Sequence, residues 1–461
     1  MTSPPELAAP PLVQTASWLY RPIDFMNAAR KRHGDTFAVR FLGFQTPMVM
    51  ISSPEAIRAL YAARENGLPP GRTVALEPVM GARSVLLLEG EEHLARRRLM
   101  LPPFHGERMR AYEGLIEQTT RAEMASWPHG EPFAIHPRMQ AITLEVILRA
   151  VFGVSDPTRL EQLRTALAGL LDTTASPRLA MRVLLARRFG RADPLADLAE
   201  TNAAINATLA TEIAERRNDP QLEQREDILS LLVAARFEDG EPMADGEIRD
   251  QLITLLLAGH ETTATGLAWT LDLLLRNPQA HERLVREIDA GEEDYLRAVI
   301  SEALRLRPVV PLAGRRLGAE LQVEDYLLPA GTDVTPAIWL AHTRPETYPA
   351  PLEFRPERFL EGKPDTYSWI PFGGGTRRCL GAAFAELEMR VVLREVLGSL
   401  ELRGARSAPE RIARRNITFS PREGTPVLVA PRSNSAARPD SSRLPPSSAS
   451  SPSLRDRDAG H

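Results

Sequence analysis

The run from Asp245 to Asn277 constrains this chain more than any other stretch. Pro278 blocks continuation, so the run predicts one helix of about 30 residues, roughly 45 Å long at 1.5 Å rise per residue. From Leu252 to Ala258 it is apolar on most sides, a pattern that a helix carries only when other elements cover it all round. The helix therefore crosses the core. Ala258-Gly259-His260-Glu261-Thr262-Thr263 interrupts the apolar run. A carboxylate at mid-helix is expensive to bury without partners, and glycine weakens a helix by roughly 1 kcal/mol relative to alanine. Threonine there also has a purely structural option, bonding back to a carbonyl one turn earlier. Local costs gathered at mid-helix mark a place to look for a functional distortion.

A second constraint lies in Pro371-Phe372-Gly373-Gly374-Gly375-Thr376-Arg377-Arg378-Cys379-Leu380-Gly381, which contains the only cysteine of 461 residues. Glycines allow tight turns and close approach to a flat ligand. Neighbouring cations, and the start of the alanine-rich helix expected from Ala382, favour thiolate over thiol. The loop suits presentation of sulfur to a metal, although a lone cysteine is also compatible with a small buried hydrophobe. A phosphate-cradling loop fails, because no strand-GxxxxGK[ST]-helix frame surrounds the glycines.

Around these two features the chain reads as mainly helical. A helix is expected over Pro22 to His33, then a hairpin from Thr36–Phe41 and Pro47–Ser52 with a turn at Gly43-Phe44-Gln45. Ser53 caps the next helix and Pro54 opens it. Leu68 to Gly90 is a long Gly- and Pro-rich connection, and a helix carrying His93, Arg97 and Arg98 follows it. Arg178 to Arg191, both basic and apolar, predicts a solvated helix with one buried face. Helices are expected near Gln279–Asp289, Tyr295–Arg305 and Ala382–Leu397. Short β runs fall at Leu321–Val323, Asp333–Thr335, Asn416–Ser420 and Pro426–Ala430, with a Pro-rich meander from Glu346 to Trp369.

Composition closes off several classes. A net charge of −4 argues against a nucleic-acid binder. One cysteine excludes an intrachain disulfide. Met1 to Leu12 lacks the basic and apolar regions of a signal peptide, and no apolar run approaches the roughly 20 residues of a membrane span. A soluble, cytoplasmic protein without a transmembrane anchor is expected. The domain reading is a leader at 1–17, a single domain at 18–431, and a Ser/Pro/Arg-rich tail at 432–461 too polar to order itself.

The run Phe372 to Gly381 resembles the haem-binding loop of the cytochrome P450 family, in its aromatic residue, glycine turn, arginine two before the cysteine and glycine two after it. Three further motifs in order support the resemblance: the acid-alcohol pair at Glu261-Thr262, Glu302 with Arg305, and Arg358 in Pro356-Glu357-Arg358-Phe359. The resemblance implies a mainly α fold with a small β-rich lobe, and haem b (iron protoporphyrin IX) held by Cys379. It implies propionate contacts from His93, Arg97, Arg315 and Arg377, with Ala258, Gly259, Phe372 and Gly381 also against the cofactor. Glu261 would relay protons and Thr262 would hydrogen-bond dioxygen, while His260 points away. Glu302, Arg305 and Arg358 would form a buried charge cluster that fixes the meander.

The activity implied is insertion of one oxygen atom of O2 into a small apolar substrate such as a terpenoid, fatty acyl chain or steroid. Electrons would come from a separate ferredoxin or flavodoxin-type donor with its reductase, since nothing in the chain resembles a flavin or NAD(P)H domain. Arg97, Arg98, Arg377 and Arg378 would steer an acidic partner. Pocket walls are expected from Leu68–Leu88, Thr173–Phe189, Leu255–Thr263, Val309–Ala313 and Asn416–Phe419. A haem-thiolate peroxygenase or isomerase is one alternative, and a non-catalytic haem sensor is another.

Overall fold

In the computed structural model, residues 3–42, 44, 46–63, 67–68, 77, 79–106, 108–154, 156–175, 196–362, 364–415 and 417–432 are described. The helices are α1 (Pro11–Tyr20), α2 (Pro22–His33), α3 (Pro54–Ala62), α4 (Gly90–Met100), α5 (Arg108–Met124), α6 (Ile135–Ala150), α7 (Pro157–Ala175), α8 (Ala196–Arg217), α9 (Ile228–Ala234), α10 (Asp245–Arg276), α11 (Pro278–Ala290), α12 (Asp294–Leu306), α13 (Ile338–His342) and α14 (Ala382–Ser399). The strands are β1 (Thr36–Val39), β2 (Met48–Ile51), β3 (Phe133–Ala134), β4 (Arg315–Arg316), β5 (Leu321–Val323), β6 (Tyr326–Leu328), β7 (Asp333–Pro336), β8 (Leu400–Gly404), β9 (Ile412–Arg415), β10 (Thr418–Pro421) and β11 (Pro426–Pro431).

Helix α10 is the expected central element. Asp245 and Glu247 occupy its first turn and Arg276 its last, each matching the sign of the nearby helix-dipole end. Pro278 starts α11 at a first-turn position, where its missing N–H costs nothing. Leu252, Leu256, Leu267, Leu271 and Leu274 are buried in one apolar core that also takes residues from α5, α6, α9, α12 and α14. Ala258 is the exception, exposed in the middle of an otherwise covered helix. Gly259 lets α6 come close, since a Cβ there would stand 3.3 Å from Ile147 Cδ1.

The β-rich lobe is a four-stranded sheet of order β1-β2-β7-β4. The expected hairpin pairs β1 with β2, Thr36 facing Ile51; Gly43 and Gln45 of its turn lie outside the described residues. Strand β7 then runs parallel to β2, Met50 facing Thr335, and carries β4 on its other edge, Arg315 facing Val334. Ser53 caps α3 by accepting from Ala56 N at 3.3 Å.

One difference from the sequence reading stands out. The stretch expected as a leader contains α1, in which Gln14 is buried and donates to Leu7 O and Ala9 O. Its Oε1 accepts from Arg40 N, so this segment is tied into the fold before Trp18. No strand forms between Glu346 and Trp369 among the described residues; a single 3-10 turn spans Pro356–Phe359. Arg178 to Arg191 and the tail beyond Arg432 lie outside the described residues.

Candidate functional site

The cysteine loop is shaped by hydrogen bonds and by one distant tyrosine. Gly373 N donates to Ile370 O (3.0 Å) and Cys379 N to Phe372 O (2.9 Å), closing the turn before α14. Gly373 and Gly375 have φ of 66° and 64°, a left-handed region that strains other residues. Gly374 is extended and demands glycine for a different reason: a Cβ there would lie 2.3 Å from Tyr61 Cδ2. Tyr61 comes from α3, so the β-rich lobe presses directly on the loop. Phe372 packs edge-on against Trp369, their ring centroids 6.2 Å apart, and Trp369 Nε1 donates to Ser301 O (3.1 Å).

Cys379 retains accessible surface, yet protein atoms surround it closely enough that desolvation dominates its acidity. Burial pushes its pKa up, while the Gly381 amide and the charges of Arg97 and Arg378 pull it down and Glu386 adds a smaller upward push. Beside Gly381 a Cβ would meet open space.

Four candidate anion binders converge from three parts of the chain. Buried His93 in α4 has its pKa lowered to about 4 by burial and by the charges of Arg377, Arg97 and Arg315, which places all three arginines around it. Arg315, 7% exposed at the sheet edge, donates to Ala313 O and Gly314 O and lies over the Tyr61 ring at 5.8 Å. Arg377 donates to Leu88 O (2.6 Å). Among the described residues, neither Arg97 nor Arg315 has a carboxylate partner, an expensive arrangement for largely desolvated cations that an anionic cofactor edge relieves. Exposed Arg98 instead pairs with Glu238.

Behind the loop, Glu302 and Arg305 form a two-pronged pair with no solvent exposure (2.7 and 2.8 Å). Arg358 Nε and the Arg355 amide add donors to the same carboxylate at 3.0 and 2.8 Å. Arg305 also donates to the carbonyls of His342, Pro351 and Glu353. His342, which the sequence reading missed, carries this network to the loop. Its Nδ1 lies 3.2 Å from Arg305 O and its Nε2 accepts from Ile370 N at 2.8 Å. Burial holds the ring neutral, its pKa lowered to about 3, which suits donation from Nδ1 and acceptance at Nε2.

On α10, Thr262 Oγ1 donates back to Ala258 O (2.6 Å), the structural option open to a helical threonine. Glu261 turns toward α6 and β10, taking hydrogen bonds from the Gln140 amide and, at 3.4 Å each, from the Thr265 and Ser420 hydroxyls. His260 is buried with no partner for Nδ1. At Gly259 an added Cβ would stand 3.3 Å from Ile147 Cδ1, so glycine here also serves close packing of α10 on α6. Ala258, one turn before Thr262, is exposed on α10.

A cysteine presented from a glycine loop, three arginines gathered around a buried histidine, and an acid-alcohol helix define a haem-thiolate class of site. The comparisons agree. The family described as Cytochrome P450 matches residues 4–426. A Mycobacterium bovis protein named "Putative cytochrome P450 135B1" is 41% identical over 434 residues, covering 90% of this chain and 89% of the relative. "Putative cytochrome P450 137" of Mycobacterium tuberculosis is 41% identical over 402 residues, covering 87% and 84%. Among solved structures, "Retinoic acid bound cyanobacterial CYP120A1" has a TM-score of 0.78 at 24% identity, covering 93% of this chain and 99% of that one. The "cytochrome P450DA heme domain" has 0.79 at 22%, covering 94% and 98%. The chain belongs to the cytochrome P450 family, whose members are haem-dependent oxidoreductases, and its cofactor is haem. No helix among the described residues is long and apolar enough to cross a membrane.

Proposed function

We propose that this chain is a monooxygenase that inserts one atom of O2 into a small apolar substrate, drawing electrons from a separate ferredoxin or flavodoxin-type partner and its reductase. The observation that carries this reading is the pairing of an accessible, deeply set cysteine with Glu261 and Thr262 on the central helix. When bound, haem supplies dioxygen activation, with thiolate donation favouring O–O cleavage. Cys379 Sγ would hold the iron, with the Gly381 amide and nearby Arg97 and Arg378 favouring the charged sulfur. His93, Arg97, Arg315 and Arg377 would hold the propionates, and Phe372 and Ala258 would border the ring. Glu261 delivers protons and Thr262 positions the reacting oxygen through its hydroxyl.

Half-buried Leu255, Leu257, Leu312 and Ala313 and buried Val309 supply the aliphatic walls expected of a terpenoid, fatty acyl or steroid-like site. Two measurements test the proposal. The reduced carbonyl complex should give the strongly red-shifted Soret band of thiolate ligation, and Cys379→Ser should abolish it. Substrate-dependent NAD(P)H consumption with a surrogate ferredoxin and reductase should yield a hydroxylated or epoxidised product. A wild-type chain that binds haem but oxidises no member of an apolar panel, with reductant and O2 supplied, refutes the activity.

A further inference from the structure

Glu261 has an unusual set of partners. Among the described residues it pairs with no arginine or lysine. The Gln140 amide of α6 donates to Oε2, and the hydroxyls of Thr265, one turn along α10, and Ser420, in β10, donate to Oε1 at 3.4 Å each. The His136 imidazole lies 3.8 Å from Oε1 and 3.1 Å from Thr265 Oγ1. Burial keeps that ring neutral, with the charge of Arg415 and then His260 adding to the effect. A guanidinium can only donate, whereas a hydroxyl both donates and accepts. A carboxylate held by hydroxyls therefore has neighbours that can pass it a proton.

The hydroxyls form a line. Ser420 Oγ lies 3.2 Å from Thr418 Oγ1 and 3.4 Å from Thr265 Oγ1. Thr418 Oγ1 is 2.8 Å from Arg415 O, and its neighbour Ile417, at the tip of the β9–β10 turn, is 61% exposed. Ser420 and Thr265 have no exposure, and Thr418 has 4%. Their alternating position in β10 explains the line, because residues two apart share one face of a strand. Trp269 Nε1 of α10 donates to Phe419 O at 2.7 Å, which holds β10 against α10.

We infer that Thr418 and Ser420 relay protons from solvent to Glu261, with Gln140 fixing the carboxylate and the Thr265–His136 pair bracing it from α10 and α6. This deepens the monooxygenase reading and rests on it. Oε1 of the Glu261 carboxylate takes a proton from Ser420 Oγ, and the carboxylic acid so formed gives a proton toward the reacting oxygen and returns to carboxylate. Ser420 is refilled from Thr418, and Thr418 from a water at the exposed turn, which is left as hydroxide. Each O–H broken is matched by one formed, and no electrons move. Ser420 and Thr418 act through Glu261 and are positioning residues.

The test uses the full-length holoenzyme and the variants S420A, S420T and T418V. With a turned-over apolar substrate, S420A should raise the peroxide-to-product ratio by about tenfold and enlarge the solvent deuterium isotope effect. That expectation lies below the ~10²–10⁴-fold range for complete loss of a general acid, because Thr265 still reaches Glu261. S420T keeps a hydroxyl and should restore both values, while T418V should enlarge the isotope effect without changing substrate affinity. Infrared spectra give a readout independent of turnover: the Glu261 carboxyl band, assigned by its disappearance in E261Q, should shift in S420A and return in S420T. An unchanged isotope effect in S420A, equal impairment of S420A and S420T, or an unshifted band overturns the relay. A wild-type enzyme that fails to oxidise any substrate instead overturns the monooxygenase reading, and the infrared arm still judges the relay.

Discussion

Substituting Gly374 with alanine isolates a single contact that positions the sulfur. Gly374 has φ −166°, extended backbone that alanine adopts without strain. Its added Cβ would stand 2.3 Å from Tyr61 Cδ2 and 2.5 Å from Cε2, so the ring or the loop must retreat by roughly 1 Å to reach ordinary contact. Tyr61 is 8% exposed in the core beneath the β-rich lobe and has little room to yield. Overpacking of this kind costs about 1–3 kcal/mol. The loop, tethered by the Cys379–Phe372 and Gly373–Ile370 bonds, should move with it and lower the fraction of reduced carbonyl complex with the thiolate-type Soret band. Truncating the ring by Tyr61→Ala costs about 3–5 kcal/mol by itself, but in that background Gly374→Ala should be nearly free. A double-mutant cycle from denaturant melts should therefore return a coupling of about 1–3 kcal/mol. Additive effects, or a Gly374→Ala enzyme with wild-type stability and spectrum, would refute the reasoning.

Other sites give predictions of different sign. Glu388 is fully buried, Oε1 has no partner, and desolvation alone raises its pKa to about 8. Its folded pKa lies above the unfolded one, so its contribution to stability is intact below pH ~4.5 and is lost as pH rises to about 8, at up to about 1.4 kcal/mol per pH unit. Denaturant melts of Glu388→Gln should lack that fall across the window. Arg315→Met removes a buried cation that has no carboxylate partner, so the haem-free chain should gain about 1–3 kcal/mol while haem transfer to apomyoglobin speeds up. His342→Leu leaves Ile370 N without its acceptor and removes the contact with Arg305 O; a loss of about 2–4 kcal/mol should appear in melts, with fewer correctly ligated molecules in the carbonyl spectrum.

What could be read from the sequence follows how local the signal is. The end of α10 was legible because Pro278 acts within one turn of the chain. The cap at Ser53 and the hairpin strands were legible for the same reason. Strand β9, Ile412–Arg415, has no apolar alternation to betray it and exists because β10 pairs with it. Helix α1 follows a proline-rich start that reads as irregular, and its place depends on contacts to Arg40 and Ala38 far along the chain. The anion ring was reached only through family resemblance, since nothing local brings His93, Arg97, Arg315 and Arg377 together. Tyr61, His342, Gln140 and Ser420 escaped detection because each matters through a partner distant in sequence. The packing role of Gly259 against Ile147 was likewise hidden, because the two lie far apart in sequence.

The fit of Tyr61 against the glycine turn also fixes an order of events during synthesis. The tyrosine leaves the ribosome early, whereas Gly374, Gly375 and the thiol follow some three hundred residues later. Contacts of such separation form slowly, after nearer ones have closed. Cys379 would therefore reach iron only late in synthesis. A truncated product ending before Gly374 would retain the early tyrosine and the sheet's first strands, yet have nothing with which to grip iron.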